Sequence, residues 1–198
     1  MSKRPAAPTF TPPRLVHRTA ARFLAGLVAA AALTTPVAMA ADRPAAKADT
    51  RASLARQILA QKQISLATVH PGGKHAGSTV RQNIVDTANG KGALTSPWGD
   101  KPNRRVALDP RMLNGLLKLR TQYGFRLSVS EIVGGDHSSN SRHYAGIAFD
   151  INYINGRHVG SGAPHKQVMA ACNKLGATEV LGPGNTGHSR HVHCAWPR

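Results

Sequence analysis

The chain has 198 residues, 41% of them hydrophobic and 18% charged, and its 26 Lys and Arg against 9 Asp and Glu give a formal charge of +17. That length supplies one ordinary domain with a real core and excludes two of usual size. The basic balance points to an anionic partner, but only 5% of the residues are aromatic and no nucleic-acid-binding motif occurs, so nucleic acid is set aside as a partner.

Lys3, Arg4, Arg14, Arg18 and Arg22 precede an uncharged run from Phe23 to Leu33, which is followed by Ala38-Met39-Ala40. This is the pattern of a Sec-type signal peptide over residues 1–40, cleaved after Ala40. The apolar run falls short of the roughly 20 residues that span a bilayer, so no permanent membrane anchor is expected. No Arg-Arg pair lies in the leader and no Cys follows the run, so neither twin-arginine export nor lipoprotein attachment is expected. The mature chain is then periplasmic or secreted. It keeps a charge of about +12 by counting, because the leader removes five cations and no acidic residue. Anionic cell-wall polymers suit that address better than nucleic acid does.

Residues 41–65 read as an Ala-, Lys- and Pro-rich tether over Ala41 to Ala48 and a short amphipathic helix from an Asp49 N-cap to about Gln63, with Leu54, Ile58 and Leu59 on one face. Residues 66–198 are taken as the single catalytic domain. Val69 to Asn103 is rich in Pro and Gly and reads as loops around one helix from about Val80 to Ala88. Asp109-Pro110 supplies an N-cap and an N1 proline for the best-defined helix, whose stripe is Met112, Leu113, Leu116, Leu117 and Leu119 and whose stop is Gly124. Strands are expected over Phe125 to Val133 and Gly146 to Tyr153, with a turn at Asn155-Gly156 and a return limb at Arg157 to Val159. His165 to Leu175 is helical, with Val168, Met169, Cys172 and Leu175 on one face. Strands at Thr178 to Leu181 and Arg190 to Trp196 flank a glycine-rich loop. Helices mixed with strands in no repeating βαβ order predict an α+β fold, a small antiparallel sheet packed with helices.

The chemistry concentrates in Ser141-Arg142-His143-Tyr144-Ala145-Gly146-Ile147-Ala148-Phe149-Asp150 and in His188-Ser189-Arg190-His191-Val192-His193. Strand alternation puts Ile147, Phe149 and Ile151 toward the core and Gly146, Ala148 and Asp150 on the other face, where the small residues leave room for a cation. It also puts His191 and His193 together. A His and an Asp from one segment and a His-x-His pair from another form a split three-ligand metal site with a coordination position left for chemistry, which reads as a zinc hydrolase. Cys172 and Cys194 are read as a disulfide that pins the last helix behind the metal strand; in a strand Cys194 points away from its neighbour His193, which argues against a Cys-His nucleophile. His70, His75, His158 and His165 lack ligand spacing and read as ordinary surface histidines.

The pattern resembles the Ser-x-His-x-x-Gly-x-Ala-x-Asp plus His-x-His signature of the M15 peptidases, zinc D-alanyl-D-alanine carboxypeptidases and peptidoglycan endopeptidases that share a fold with the hedgehog signalling domain. Ser141, His143, Gly146, Ala148 and Asp150 fill every fixed position of the first motif. The resemblance implies one zinc ion per chain held by His143, Asp150 and His193, with His191 assisting catalysis. His188 matches an additional active-site histidine of the penicillin-insensitive murein endopeptidase branch. The implied partners are peptidoglycan stem peptides or cross-links. The chain departs from the family where Ser130-Glu131-Ile132-Val133 replaces a Ser-Gly-Tyr-Arg element, so its arginine is missing, and where Arg190 stands at the place of a glutamate base. Base function then falls to His188, His191 or Glu131, and Arg142 and His137 become candidate substrate contacts. A non-catalytic zinc module binding cell-wall peptides or a partner is the alternative.

Overall fold

A computed structural model describes residues 43–198, with side chains from residue 50 onward. The signal peptide expected over residues 1–40 lies outside the described residues. Twelve elements follow in order: α1 (Arg43–Ala60), β1 (Ile64–Leu66), α2 (Val80–Ala88), β2 (Ala93–Leu94), β3 (Arg105–Val106), α3 (Pro110–Thr121), β4 (Leu127–Glu131), β5 (Ala148–Ile154), β6 (Arg157–His158), α4 (His165–Lys174), β7 (Glu179–Leu181) and β8 (Val192–Ala195).

Local chemistry sets the helix ends. Asp109 accepts the Arg111 backbone N–H at 2.7 Å and Pro110 opens α3, so the first turn is capped as its sequence predicts. At its far end the Gly124 N–H reaches Arg120 O at 3.0 Å, with Gly124 in the left-handed region at φ +76°, where a side chain would be strained. Thr79 caps α2 by accepting the Gln82 N–H. The helix α1 differs from expectation. It begins at Arg43 and runs through Asp49, which is therefore no N-cap, and it takes up the stretch read as a tether. Alanine is the best helix former, and Pro44 falls in the first turn, where its missing N–H costs no helical bond.

The strands form one sheet in the order β1-β4-β5-β8-β7, with β6 paired to the end of β5. Every pairing in it is antiparallel except β1 with β4, which is parallel. The sheet is thus mixed, which corrects the all-antiparallel expectation, while the α+β class stands. The three-residue strand β1 was too short to show an alternation in sequence. A separate two-stranded ribbon joins β2 and β3, with the Thr95 to Arg104 loop between them.

One face of the sheet carries the core. Phe149 and Ile151 of β5 and Val192 and Cys194 of β8 are fully buried in one cluster with Met112, Leu113, Leu116 and Leu119 of α3 and Val168 and Cys172 of α4. Trp196 closes it, its ring so near α3 that a Cβ on Gly115 would lie 2.2 Å away. Gly115 is therefore a seat for an indole. The opposite face of the same strands is the floor of a cleft.

Cys172 of α4 and Cys194 of β8 form the disulfide, with Cα atoms 6.3 Å apart, and it lies on the core face, opposite Phe149 in the β5–β8 register. The bridge closes a loop of 22 residues in sequence separation, for which loop-closure entropy gives a stabilisation of about 3 kcal/mol. Reduction, or the double variant Cys172→Ala/Cys194→Ala, is expected to lower the unfolding free energy by about 2–4 kcal/mol in denaturant titrations. Superimposable oxidised and reduced unfolding curves would contradict this.

Candidate metal centre

Register assembles the site. On the cleft face Asp150 of β5 is paired with His193 of β8 on one side and with Glu131 of β4 on the other. His143 arrives from outside the sheet, in a turn closed by the Gly146 N–H on His143 O at 2.8 Å. Its Nε2 lies 3.1 Å from His193 Nδ1 and 3.3 Å from Asp150 Oδ1, and His193 Nδ1 is 2.9 Å from the same oxygen. All three residues are buried, between 3% and 7% exposed. A tetrahedral zinc with bonds of about 2.0–2.1 Å holds its ligand atoms about 3.3 Å apart. The three donor atoms are spaced close to that edge length, so the residues fit the ion.

The surrounding groups fix which nitrogens face inward. His143 Nδ1 donates to Ile132 O, which leaves Nε2 as a bare lone pair. His193 Nε2 stands 3.2 Å from Glu179 Oε1, an ion-pair distance without full hydrogen-bond alignment, and Nε2 is otherwise unpartnered. A proton held there turns the Nδ1 lone pair toward His143 and Asp150. Glu179 is itself gripped by Arg142 Nε at 3.0 Å, and Arg142 Nη1 donates to Trp196 O. Arg142, a candidate substrate contact in sequence, lines the cleft but has its guanidinium tied behind His193.

Charge in the triad is uneven. Burial opposes a charged His143, but the Asp150 carboxylate outweighs it and raises the imidazole above its ordinary value. Burial would likewise raise Asp150, yet His143 and His193 hold its carboxyl well below the usual range. The centre keeps one negative oxygen among imidazoles, which suits a divalent cation. Gly146 serves another end than the one expected: it precedes β5 at φ +70°, and a Cβ there would lie 2.6 Å from Ala107 O. Its smallness admits the chain entering α3.

Around the triad opens a cleft of about 1290 Å³, enough for several residues of an extended peptide. The His191 Nε2 is 3.8 Å from Asp150 Oδ2, and the His188 ring packs on His191 with centroids 4.7 Å apart. Burial chiefly, with His188 adding to it against the pull of Asp150, lowers the His191 pKa. His137 stacks on His143 at 4.0 Å, and its Nε2 donates to Gly134 O. Burial and the like charge of His143 push His137 down to about 4, so its ring is neutral at pH 7. Arg190 lies exposed at the cleft rim.

Two histidines depart from the surface reading. His158 lines the cleft, and His70 is buried at 4% exposure with Nδ1 on Glu131 and Nε2 on Ser78. The Glu131 partner of His70 is 61 residues away in sequence, so no local spacing could reveal the pair. His75 is exposed, and His165 opens α4.

No protein-family model matches the chain, and no solved structure matches it. It is similar to a zinc D-Ala-D-Ala carboxypeptidase of Streptomyces albus G, 35% identical over 126 residues or 63% of this chain. The match covers 39% of that relative, so the chain spans well under half of the relative's length. Among the described residues no helix is long and apolar enough to cross a membrane.

Zinc titrations should find one tight site that Asp150→Ala abolishes. The Glu179→Ala variant, which frees His193 Nε2, is expected to weaken zinc about 10- to 100-fold while the fold survives. Unchanged zinc affinity in Asp150→Ala would remove this centre from consideration.

Proposed function

We propose that the protein is an exported zinc-dependent peptidase that hydrolyses peptide bonds of peptidoglycan, as a DD-carboxypeptidase on stem peptides or as an endopeptidase on cross-links. One observation carries the reading. Three donors at zinc-ligand spacing lie on the floor of an open cleft with two more histidines beside them. The similarity to a zinc D-Ala-D-Ala carboxypeptidase supports the substrate class.

In this reading His143 Nε2, Asp150 Oδ1 and His193 Nδ1 hold the zinc, one ion per chain. When bound, zinc supplies Lewis acidity for a scissile carbonyl and lowers the pKa of a water toward neutrality. The chain's own residues do the rest. His191, with its pKa lowered, presents a neutral Nε2 at pH 7 and accepts a proton from the attacking water; once charged, it returns that proton to the leaving amine. His188, packed on its ring, holds His191 in place. His137, neutral and stacked on His143, keeps that ring in place and borders the bound peptide. Arg142 acts through Glu179 to orient His193.

A purely structural zinc site takes four protein ligands and has no use for a neighbouring base. Here three donors meet an open cleft, which favours hydrolysis over a binding module. The basic surface suits anionic cell-wall polymers as the setting of the substrate, and the expected signal peptide and the disulfide suit a periplasmic or secreted location.

The test is to digest purified sacculi with zinc-loaded protein and identify released fragments by mass spectrometry, with and without chelator. Release should be zinc-dependent and absent in Asp150→Ala. The His191→Ala variant should retain zinc and lose about 10²- to 10⁴-fold in kcat. A folded, zinc-loaded wild type that releases nothing from any wall substrate would overturn the peptidase reading in favour of the binding module.

A further inference from the structure

Behind the β4 side of the cleft lies a polar chain that the reading above does not use. Gly135 N–H donates to Ser96 Oγ at 2.9 Å, Ser96 and Ser78 hydroxyls are 2.8 Å apart, Ser78 Oγ is 3.0 Å from His70 Nε2, and His70 Nδ1 is 2.9 and 3.1 Å from the two Glu131 oxygens. Its direction follows from both ends. A carboxylate only accepts, so His70 Nδ1–H is the donor to it, and in that tautomer Nε2 accepts from Ser78. Ser78 in turn accepts from Ser96, whose oxygen takes the Gly135 N–H. Every donor points toward Glu131.

That residue is the unfinished end. Its side chain is 9% exposed, lines the cleft, and sits directly across the strand pair from Asp150. Its two oxygens offer about four acceptor directions, and among the described residues one shared N–H from His70 is the only donor that reaches them. A buried carboxylate left so short of donors is costly unless a ligand completes it. The loop above packs closely on the pair and leaves Glu131 open only toward the cleft: a Cβ on Gly135, at φ +82°, would fall 3.0 Å from the Glu131 carboxyl carbon, and one on Gly134 would fall 2.5 Å from His70 Cε1. Two adjacent glycines let the loop close over the pair without displacing it.

We propose that Glu131 is a substrate-binding carboxylate that accepts a backbone N–H of the stem peptide lying in the cleft, and that His70, backed by Ser78 and Ser96, is its positioning residue. The assignment rests on the peptidase reading above. It adds to that site a fixed acceptor on the side opposite His191, so that the peptide is held between a wall that takes its N–H groups and a pair of histidines that handle protons.

The probe is N-acetyl-L-Lys-D-Ala-D-Ala, titrated by calorimetry into zinc-loaded protein and read as Kd where the peptide stays intact and as KM where it is turned over. Unfolding temperature and zinc content are measured on each variant. His70→Phe, which keeps a ring but removes the donor, should weaken the peptide about tenfold, the scale of a hydrogen bond to a charged group. His70→Asn, whose side-chain N–H replaces Nδ1–H, should recover most of that loss. Ser78→Ala, which leaves the cleft wall untouched, should weaken binding by about threefold and serves if His70→Phe does not fold. Wild-type affinity in folded, zinc-loaded His70→Phe and Ser78→Ala, or equal weakening in His70→Asn and His70→Phe, would overturn the proposal and reduce the network to scaffold. A wild type that binds no stem peptide would overturn the peptidase reading itself, a different result from unaltered variants.

Discussion

The register of β5 is the constraint on which the rest of the structure depends. Asp150 faces Glu131 on one side and His193 on the other because Phe149 and Ile151 are committed to the core against α3 and α4. The side-chain period of a strand is two, so a slip of one residue would turn Asp150 into that core and bring Phe149 into the cleft. Burying a carboxylate among Met112, Leu116 and Val168 is prohibitive without a partner. Hydrophobic packing on one face thereby aims the polar donors on the other, and the candidate metal centre inherits its precision from the core beneath it.

Much of this was legible from residues alone, for identifiable reasons. The capped helix α3 was readable because Asp109, Pro110 and Gly124 act on their own neighbours, where propensity and capping are local effects. Asp150 and His193 were readable because strand alternation fixes which side chains share a face, and His143, in a turn before β5, because of its fixed spacing to Asp150. The disulfide followed from two cysteines in a chain with an expected export signal, and parity placed Cys194 on the core face. What sequence hid depends on contacts far along the chain or on weak local signals. The parallel strand β1 is three residues long, and its pairing with β4 spans α2, the β2–β3 ribbon and α3. His70 sits beside Pro71-Gly72-Gly73, which reads as surface loop, yet its ring is buried by Glu131, Ser78 and Trp98. The role of Gly146 was misread for a related reason: its neighbour is Ala107 of the segment that leads into α3, not the cleft.

Charge in the cleft is more evenly balanced than in the chain. The chain as a whole is strongly basic, but the cleft gathers Glu131, Asp136, Asp150 and Glu179, four of its nine acidic residues, beside Lys74, Arg142, Arg190 and Arg198. Arg142 answers one of them through an ion pair and His70 another through a hydrogen bond. Asp150 is left to the imidazoles. The cleft wall therefore carries both signs, and it is Asp150, set among imidazoles at its floor, that favours a cation there.

The disulfide has a consequence for metal linkage. Cysteine thiolates are soft ligands that hold zinc in unfolded chains as well as folded ones, and any such affinity subtracts from the stability a metal confers on the native state. With Cys172 and Cys194 locked together and no free cysteine among the described residues, the oxidised unfolded chain offers a divalent cation no thiolate from this pair. A zinc ion held as proposed by His143, Asp150 and His193 would then meet no competition from these two sulfurs. Oxidation of two sulfur atoms on the core face thus sharpens the selectivity of nitrogen and oxygen donors on the other side of the same strand.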